Sequence, residues 1–174
     1  MIDSSNEKVR VLAISPSYEG FGFAVFEGPE KLIDWGVGIA RRSNAKRARL
    51  IAKLLKRYQP SVIVTEDCLK ERSLRCRRVK RVLEKIARLT SEGEIEFKGV
   101  PRSTVKNVFY KFGASNKHEI ATTITNRLPQ LAPWLPKPRK PWIHEDCKMD
   151  IFDAAALALA FFVTIETENK HSDR

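Results

Sequence analysis

Apolar, β-branched runs bounded by Gly and Pro, and apolar positions at helical spacing, separate an opening run of strands from a later alternation of strands and helices. Val9 to Ile14 is a β-branched, apolar run ended by Pro16. Gly20 to Phe26 is a second run, entered through Gly20 and Gly22, and Lys31 to Ile39 is a third, after a Gly28-Pro29 turn. These predict three antiparallel strands. Ser43 or Asn44 can cap a helix in which Ala48, Ile51, Leu55 and Tyr58 recur at helical spacing and which Pro60 ends. Its opposite stripe is Arg42, Lys46, Arg49, Lys53 and Lys56, so the helix buries one face and offers a basic ridge on the other.

Val62-Ile63-Val64 is a short, wholly apolar run leading into Thr65, Glu66 and Asp67, the texture of a buried parallel strand. A second basic helix is expected from about Ser73 to Thr90, with Val79, Val82, Leu83 and Ile86 inward, and Glu94 to Phe97 reads as a fifth strand. Arg102 to Tyr110 and Lys117 to Arg127 read as short helices joined by Phe112-Gly113-Ala114-Ser115-Asn116. Pro129, Pro133, Pro136, Pro138 and Pro141 argue against regular structure in the long loop that also carries Trp134 and Trp142. The final helix, Asp150 to Thr164, is almost all small or apolar and must lie against the sheet, and the tail past Glu166 is expected to fray.

The order βββαβαβ followed by helices gives an α/β fold around a five-stranded mixed sheet flanked by helices. At 174 residues it makes one domain, ordered from about residue 8 to 166 with short flexible tails. The longest apolar stretch, Ala154 to Val163, is too short to span a bilayer, and no basic segment precedes an apolar run at the start, so a cytoplasmic protein without membrane partners is expected. Cys68, Cys76 and Cys147 are an odd number without metal-type spacing, which favours reduced, structural cysteine.

Charge changes this picture. The net charge is +11 and it is localised: eight basic and no acidic residues lie between Arg41 and Arg57, and nine basic residues against Glu71 and Glu84 lie between Lys70 and Arg88. Solvated helix faces usually alternate sign, and these do not. A basic surface of this kind fits a polyanion such as a nucleic acid.

The acids point to chemistry. In this element order the first and fourth strands are neighbours; Glu66 stands where the fourth ends, and Asp150 and Asp153, three apart, share one face of the last helix near its start. Clustered carboxylates in a basic protein suit a divalent cation, Mg²⁺ or Mn²⁺, that orients water for attack on a phosphodiester. The alternative is that Asp150 caps the last helix with Asp153 as its third residue, a role without catalysis, and that Glu66 is solvated.

Four segments in order resemble the RuvC-type Holliday-junction resolvases. VLAISPSYEGFGFAVFEG (11–28) is similar to that family's first strand, turn and second strand, where an Asp-Pro-Gly motif precedes Gly-aromatic-Gly; VIVTEDC (62–68) is similar to its second acidic motif. STVKNVFYKFGASNKHEIATTITNRL (103–128) resembles its Val-Lys pair, Gly-rich link and Lys-Glu helix start, and DIFDAAALALA (150–160) its terminal Asp-x-x-Asp-Ala-Ala helix. The resemblance implies a ribonuclease-H-like fold and a Mg²⁺-dependent, structure-selective endonuclease on branched DNA, serving recombination and repair. Glu66, Asp150 and Asp153 would hold metal, Lys106 would sit beside the scissile phosphate and Lys117 on the DNA backbone. The exposed Arg42, Lys46, Arg49, Lys53, Arg77, Arg78 and Arg81 would add nucleic-acid contacts.

Two departures qualify that expectation. Ser15 stands at the family's strand-one Asp and Ser17 at the motif's Gly, and a neutral hydroxyl cannot readily bridge two cations. Glu19, on the turn, is the nearest substitute carboxylate in sequence. The basic helix around Arg77 and Arg78 also departs from the small, apolar surface through which the family's homodimers pack, leaving a homodimer open. A catalytically inactive binder of branched nucleic acid and an RNA-processing nuclease of the same superfamily therefore stand beside the endonuclease reading. A phosphate-binding ATPase of the actin and sugar-kinase kind needs two such domains, which this length does not supply.

Overall fold

A computed structural model describes residues 9–41, 43–67, 81 and 95–172. The strands are β1 (Val11–Pro16), β2 (Gly20–Phe26), β3 (Leu32–Ile39), β4 (Val62–Glu66) and β5 (Glu96–Val100). They form one sheet in the order β3-β2-β1-β4-β5, with β1 antiparallel to β2 and parallel to β4. The mixed sheet is the expected one. Helices α1 (Asn44–Tyr58), α2 (Arg102–Tyr110), α3 (Lys117–Arg127) and α4 (Met149–Ser172) accompany it. The expected second basic helix, including Arg77 and Arg78, lies outside the described residues, as does Arg42; Arg81 alone of that helix is described, exposed and helical.

The two-residue period of the central strands divides the core. Val11, Ala13, Ala24, Phe26, Val62 and Val64 face α4, while Leu12, Ile14, Val25 and Ile63 face Ile51, Leu55 and Tyr58 of α1. Both faces of the sheet are thus covered, which explains why β1 and β4 are apolar throughout. Ser43 caps α1, its hydroxyl accepting from the Lys46 amide at 3.2 Å. The helix closes through Gln59 in the left-handed region, φ 42°. Lys46, Arg49, Lys53 and Lys56 are exposed along the opposite stripe, whereas Arg47 is buried and donates to Asn44.

Helix α4 lies on β1 and β2 through small residues. Ala154, Ala155 and Ala158 are fully buried against a sheet surface that carries Ala13, Gly22 and Ala24. Gly22 matters most. A Cβ there would stand 2.0 Å from the Asp150 carbonyl oxygen and 2.7 Å from the Asp150 Cβ. Only a bare backbone admits the start of α4 at that depth.

Three local expectations differ from what is found. Strand β5 begins at Glu96 and runs to Val100 rather than spanning Glu94 to Phe97, because its register pairs Glu96 with Val62 and carries on to Val100 beside Glu66. Pro129–Trp134 forms a 3₁₀ helix within the proline-rich segment, which starts with Pro129, where a missing amide costs nothing. Helix α4 continues to Ser172 instead of fraying after Glu166. Thr164 and Thr167 return their hydroxyls to the carbonyls of Ala160 and Val163, and no Pro or Gly interrupts the run.

The close approach at Gly22 has a measurable consequence. Gly22→Ala drives a methyl group into backbone atoms of α4, and overpacking of this kind costs about 3 kcal/mol or more. Thermal unfolding followed by circular dichroism should show a midpoint lowered by about 10 °C. An unchanged midpoint would mean that α4 does not sit at this depth.

Candidate active-site cleft

Strand parity sets the site. Ser15 lies two residues beyond Ala13 and Glu66 two beyond Val64, so both point to the α4 side at the carboxyl ends of adjacent parallel strands. Ser15 pairs with Gly22 across β1 and β2, and the absent side chain at Gly22 leaves the space into which Asp150 comes. One helical turn along α4, Asp153 enters the same cleft. This cleft, of about 330 Å³, is lined by Ser15, Glu66 and Asp153 with Arg102, Lys106 and Lys117. An outer compartment of about 820 Å³ adds Ser17, Glu19, Arg139, Glu145 and Asp150.

Thus Ser15, Glu66, Lys106, Lys117, Asp150 and Asp153, named from the sequence, line one continuous depression. The ridge of Lys46, Arg49 and Lys53 belongs to α1, on the opposite face of the sheet from α4. Asp150 is not the cap of the last helix. It lies inside α4, while the Asp146 carboxylate accepts from the Lys148 amide at 2.9 Å and the Asp146 carbonyl from the Met149 amide at 2.9 Å. Helix capping therefore does not account for Asp150, which is 7% exposed.

Lys117 stands at the first position of α3, where the helix dipole disfavours a cation. A capping box fixes it there: Asn116 accepts from the Glu119 amide at 3.0 Å, and the Glu119 carboxylate takes the amides of Ser115 and Asn116. Acids from elsewhere compensate the misplaced charge. Lys117 Nζ is 2.9 Å from Asp153 Oδ2 and 3.0 Å from Glu145 Oε2. Arg102 Nε, at the start of α2, is 3.3 Å from Glu66 Oε1.

Burial and crowding govern the charges. Burial raises the Asp150 carboxyl from the ordinary 3.8 to about 6, against a hydrogen bond from Ser17 and with the Asp153 charge reinforcing the rise. Asp153 is also raised, first by burial, with Lys117 opposing. For Lys117 the order reverses: burial pushes its ammonium down, but Asp153 and Glu145 outweigh that and hold it above the usual lysine value.

As the side chains stand, the acids of the cleft pair with the chain's own cations. Among the described residues no group of three or more His, Cys, Asp or Glu is placed to hold a metal ion. Lys117 neutralises Asp153 and Glu145, Arg102 neutralises Glu66, and strand β1 contributes the Ser15 hydroxyl. The cleft lining is mixed, with Val105, Ile120, Ala156 and Leu157 beside the polar groups, and Arg102, Lys106 and Lys117 give it cations suited to a phosphate-bearing backbone.

Reading the sequence missed Arg102 and Glu145, and it did not foresee that Ser17 hydrogen-bonds Asp150. Arg102 precedes the Val-Lys pair by only a few residues, and its helix-start position was a usable signal. Glu145 lies in a loop without periodicity, where nothing in the sequence indicates its direction. The turn carrying Glu19 is tied to the strand β3 end, its carbonyl accepting from the amides of Ala40 and Arg41, and the Glu19 side chain remains exposed at the outer rim.

The raised Asp150 sets a pH dependence. The folded chain keeps this proton to about pH 6, whereas an unfolded aspartate releases it near 3.8. The stabilisation is therefore complete below about pH 4 and is lost as pH rises through about 6. Asp150→Asn in chelator-treated buffer should stabilise the protein at pH 7.5 by on the order of 2 kcal/mol and make little difference at pH 4. A lower unfolding midpoint for the variant at pH 7.5 would contradict this balance.

Comparison with known proteins bears on the fold. No family model matches the chain and no curated protein matches it. Solved structures do. Thermus thermophilus RuvC superposes with a TM-score of 0.62 at 18% identity, covering 91% of this chain and 97% of that one. The T. thermophilus RuvC in complex with a Holliday junction substrate gives 0.64 at 18% identity, covering 90% and 94%. The yeast mitochondrial Holliday junction resolvase Ydc2 gives 0.56 at 16% identity, covering 89% and 79%. Sheet order, helix placement and these superpositions agree that the chain has the ribonuclease-H-like fold of the RuvC-type resolvases.

Proposed function

We propose that this chain is a RuvC-like protein that binds branched DNA, Holliday junctions among its substrates, with a hydrolytic centre reduced by Ser15. The observation that carries the reading is the cleft at the carboxyl ends of β1 and β4, where Arg102, Lys106 and Lys117 surround Ser15, Glu66 and Asp153. Phosphates of the bound strand would approach these cations, and the exposed stripe of Lys46, Arg49 and Lys53 would serve a further segment of DNA together with Arg42, Arg77, Arg78 and Arg81. A branched molecule suits basic surfaces that face different ways, because its arms diverge. A homodimer, as a means of engaging arms in pairs, belongs to the same proposal.

Binding is the activity that the geometry supports first, because the acids already have internal cations and β1 lacks its carboxylate. A second reading, slow Mg²⁺- or Mn²⁺-dependent endonuclease activity on the same DNA, is favoured by the fact that Glu66, Asp150 and Asp153 border one continuous depression. In that case Glu66, Asp150 and Asp153 would hold the metal and Lys106 would stand beside the scissile phosphate.

Affinity for a four-way junction should fall linearly in log–log form as salt rises, since each neutralised phosphate releases condensed counterions. Replacing Arg49 and Lys53 together by Glu should weaken binding at least several-fold with the thermal midpoint nearly unchanged, as both side chains are exposed. A flat salt response would remove the nucleic-acid reading.

The two readings separate at Ser15. Ser15→Asp adds a charge to an acidic cluster, so the metal-free variant should be modestly less stable than wild type. If the acids form a latent hydrolytic site, Mg²⁺ or Mn²⁺ should restore that stability and the variant should gain cleavage that a further Asp153→Asn change abolishes. A variant with neither metal-dependent stability nor cleavage leaves binding as the sole activity.

A further inference from the structure

The segment between the 3₁₀ helix and α4 carries Lys137, Arg139, Lys140, Trp142 and His144, and no acid from residue 136 to 144. Trp142 is 77% exposed, an unusual position for the largest apolar side chain. Its presentation is built. The Ile143 amide donates to the Lys140 carbonyl at 3.0 Å, and Arg139 Nη1 donates to the Ile143 carbonyl at 3.2 Å, closing a tight turn around the indole. Pro136, Pro138 and Pro141 restrict the backbone that leads into Trp142. Lys140 Nζ lies 5.7 Å from the Trp142 ring centre, within cation–π range.

The same strap borders the cleft. Arg139, His144 and Glu145 line the outer compartment together with Ser15, Asp150 and Asp153. A strand with a phosphate in that compartment therefore passes beside the strap. We infer that Trp142 is a stacking platform for an unpaired base of that strand, with Lys140 and Arg139 receiving the flanking phosphates. The inference rests on the branched-DNA reading and adds to it a preference for DNA with unpaired nucleotides at the branch. Charge complementarity selects this occupant: an aromatic face with Lys140 beside it, on a segment that also carries Lys137 and Arg139, matches a base between phosphates.

An exposed ring held in a restrained turn loses little entropy on engaging a base, so its contribution should appear directly in affinity. The test uses the full chain with Trp142→Ala and Trp142→Phe, and three probes: oligothymidylate, a four-way junction with unpaired nucleotides at its centre, and a linear duplex. Trp142→Ala should weaken binding to the first two by about tenfold and leave the duplex within about twofold, and Trp142→Phe, which keeps a ring, should recover most of the loss. Oligothymidylate should quench the tryptophan fluorescence of wild type, with the quenching greatly reduced in Trp142→Phe.

Equal weakening on all three probes, or no weakening on any, overturns the stacking role. Quenching by anionic lipid vesicles in place of oligothymidylate also overturns it. Should wild type fail to prefer the junction over the duplex, the proposed function fails, while the oligothymidylate quenching still decides the role of Trp142 independently.

Discussion

The contact on which the structure depends is the seating of α4 on β1 and β2 through residues that have almost no side chain. Gly22, Ala13 and Ala24 on the sheet face Ala154, Ala155 and Ala158 on the helix, and the Asp150 carbonyl occupies the space that a Cβ at residue 22 would take. Depth of seating is what makes a site here. A helix held farther out by larger residues would leave Asp150 and Asp153 in solvent, away from Ser15 and Glu66. The cost is carboxylates in a poorly solvated place, visible in the upward shift of both aspartates.

That cost is met by cations drawn from unfavourable positions. Lys117 sits at a helix start, where an acid is the stabilising choice, and is held there by the capping box and by Asp153 and Glu145. Arg102 at the start of α2 does the same for Glu66. Such pairs at a half-exposed cleft contribute little to stability. Their effect is to leave the cleft compatible with an approaching phosphate, which the acids alone would repel. On the proposed account, a chain with this fold uses its own lysine and arginine for the charge compensation.

Much of this was legible in sequence. Apolar, β-branched runs bounded by Gly and Pro gave strands one to four, and the chain order placed the first beside the fourth, which with parity aligns Ser15 and Glu66. The three-residue spacing of Asp150 and Asp153 on an apolar helix gave their shared face. What stayed hidden has physical reasons. The direction of Glu145 is set by a loop whose path follows from tertiary contacts, so no period announces it. The 3₁₀ helix was obscured by prolines that are harmless at a helix start, and the extension of α4 to Ser172 by polar residues that resemble a tail. Arg47 sits within a basic run and yet is buried, a reminder that charge along a sequence does not fix which face carries it.

The central claim is that the fold and the cations of its cleft recognise branched DNA without a metal to complete the site. Equilibrium binding of a labelled four-way junction and of a linear duplex of the same length and composition, both in chelator and at moderate salt, tests it directly. The account predicts that the junction is bound clearly more tightly than the duplex under these metal-free conditions. Equal affinity for the two, or a preference that arises only when Mg²⁺ or Mn²⁺ is added, would contradict it.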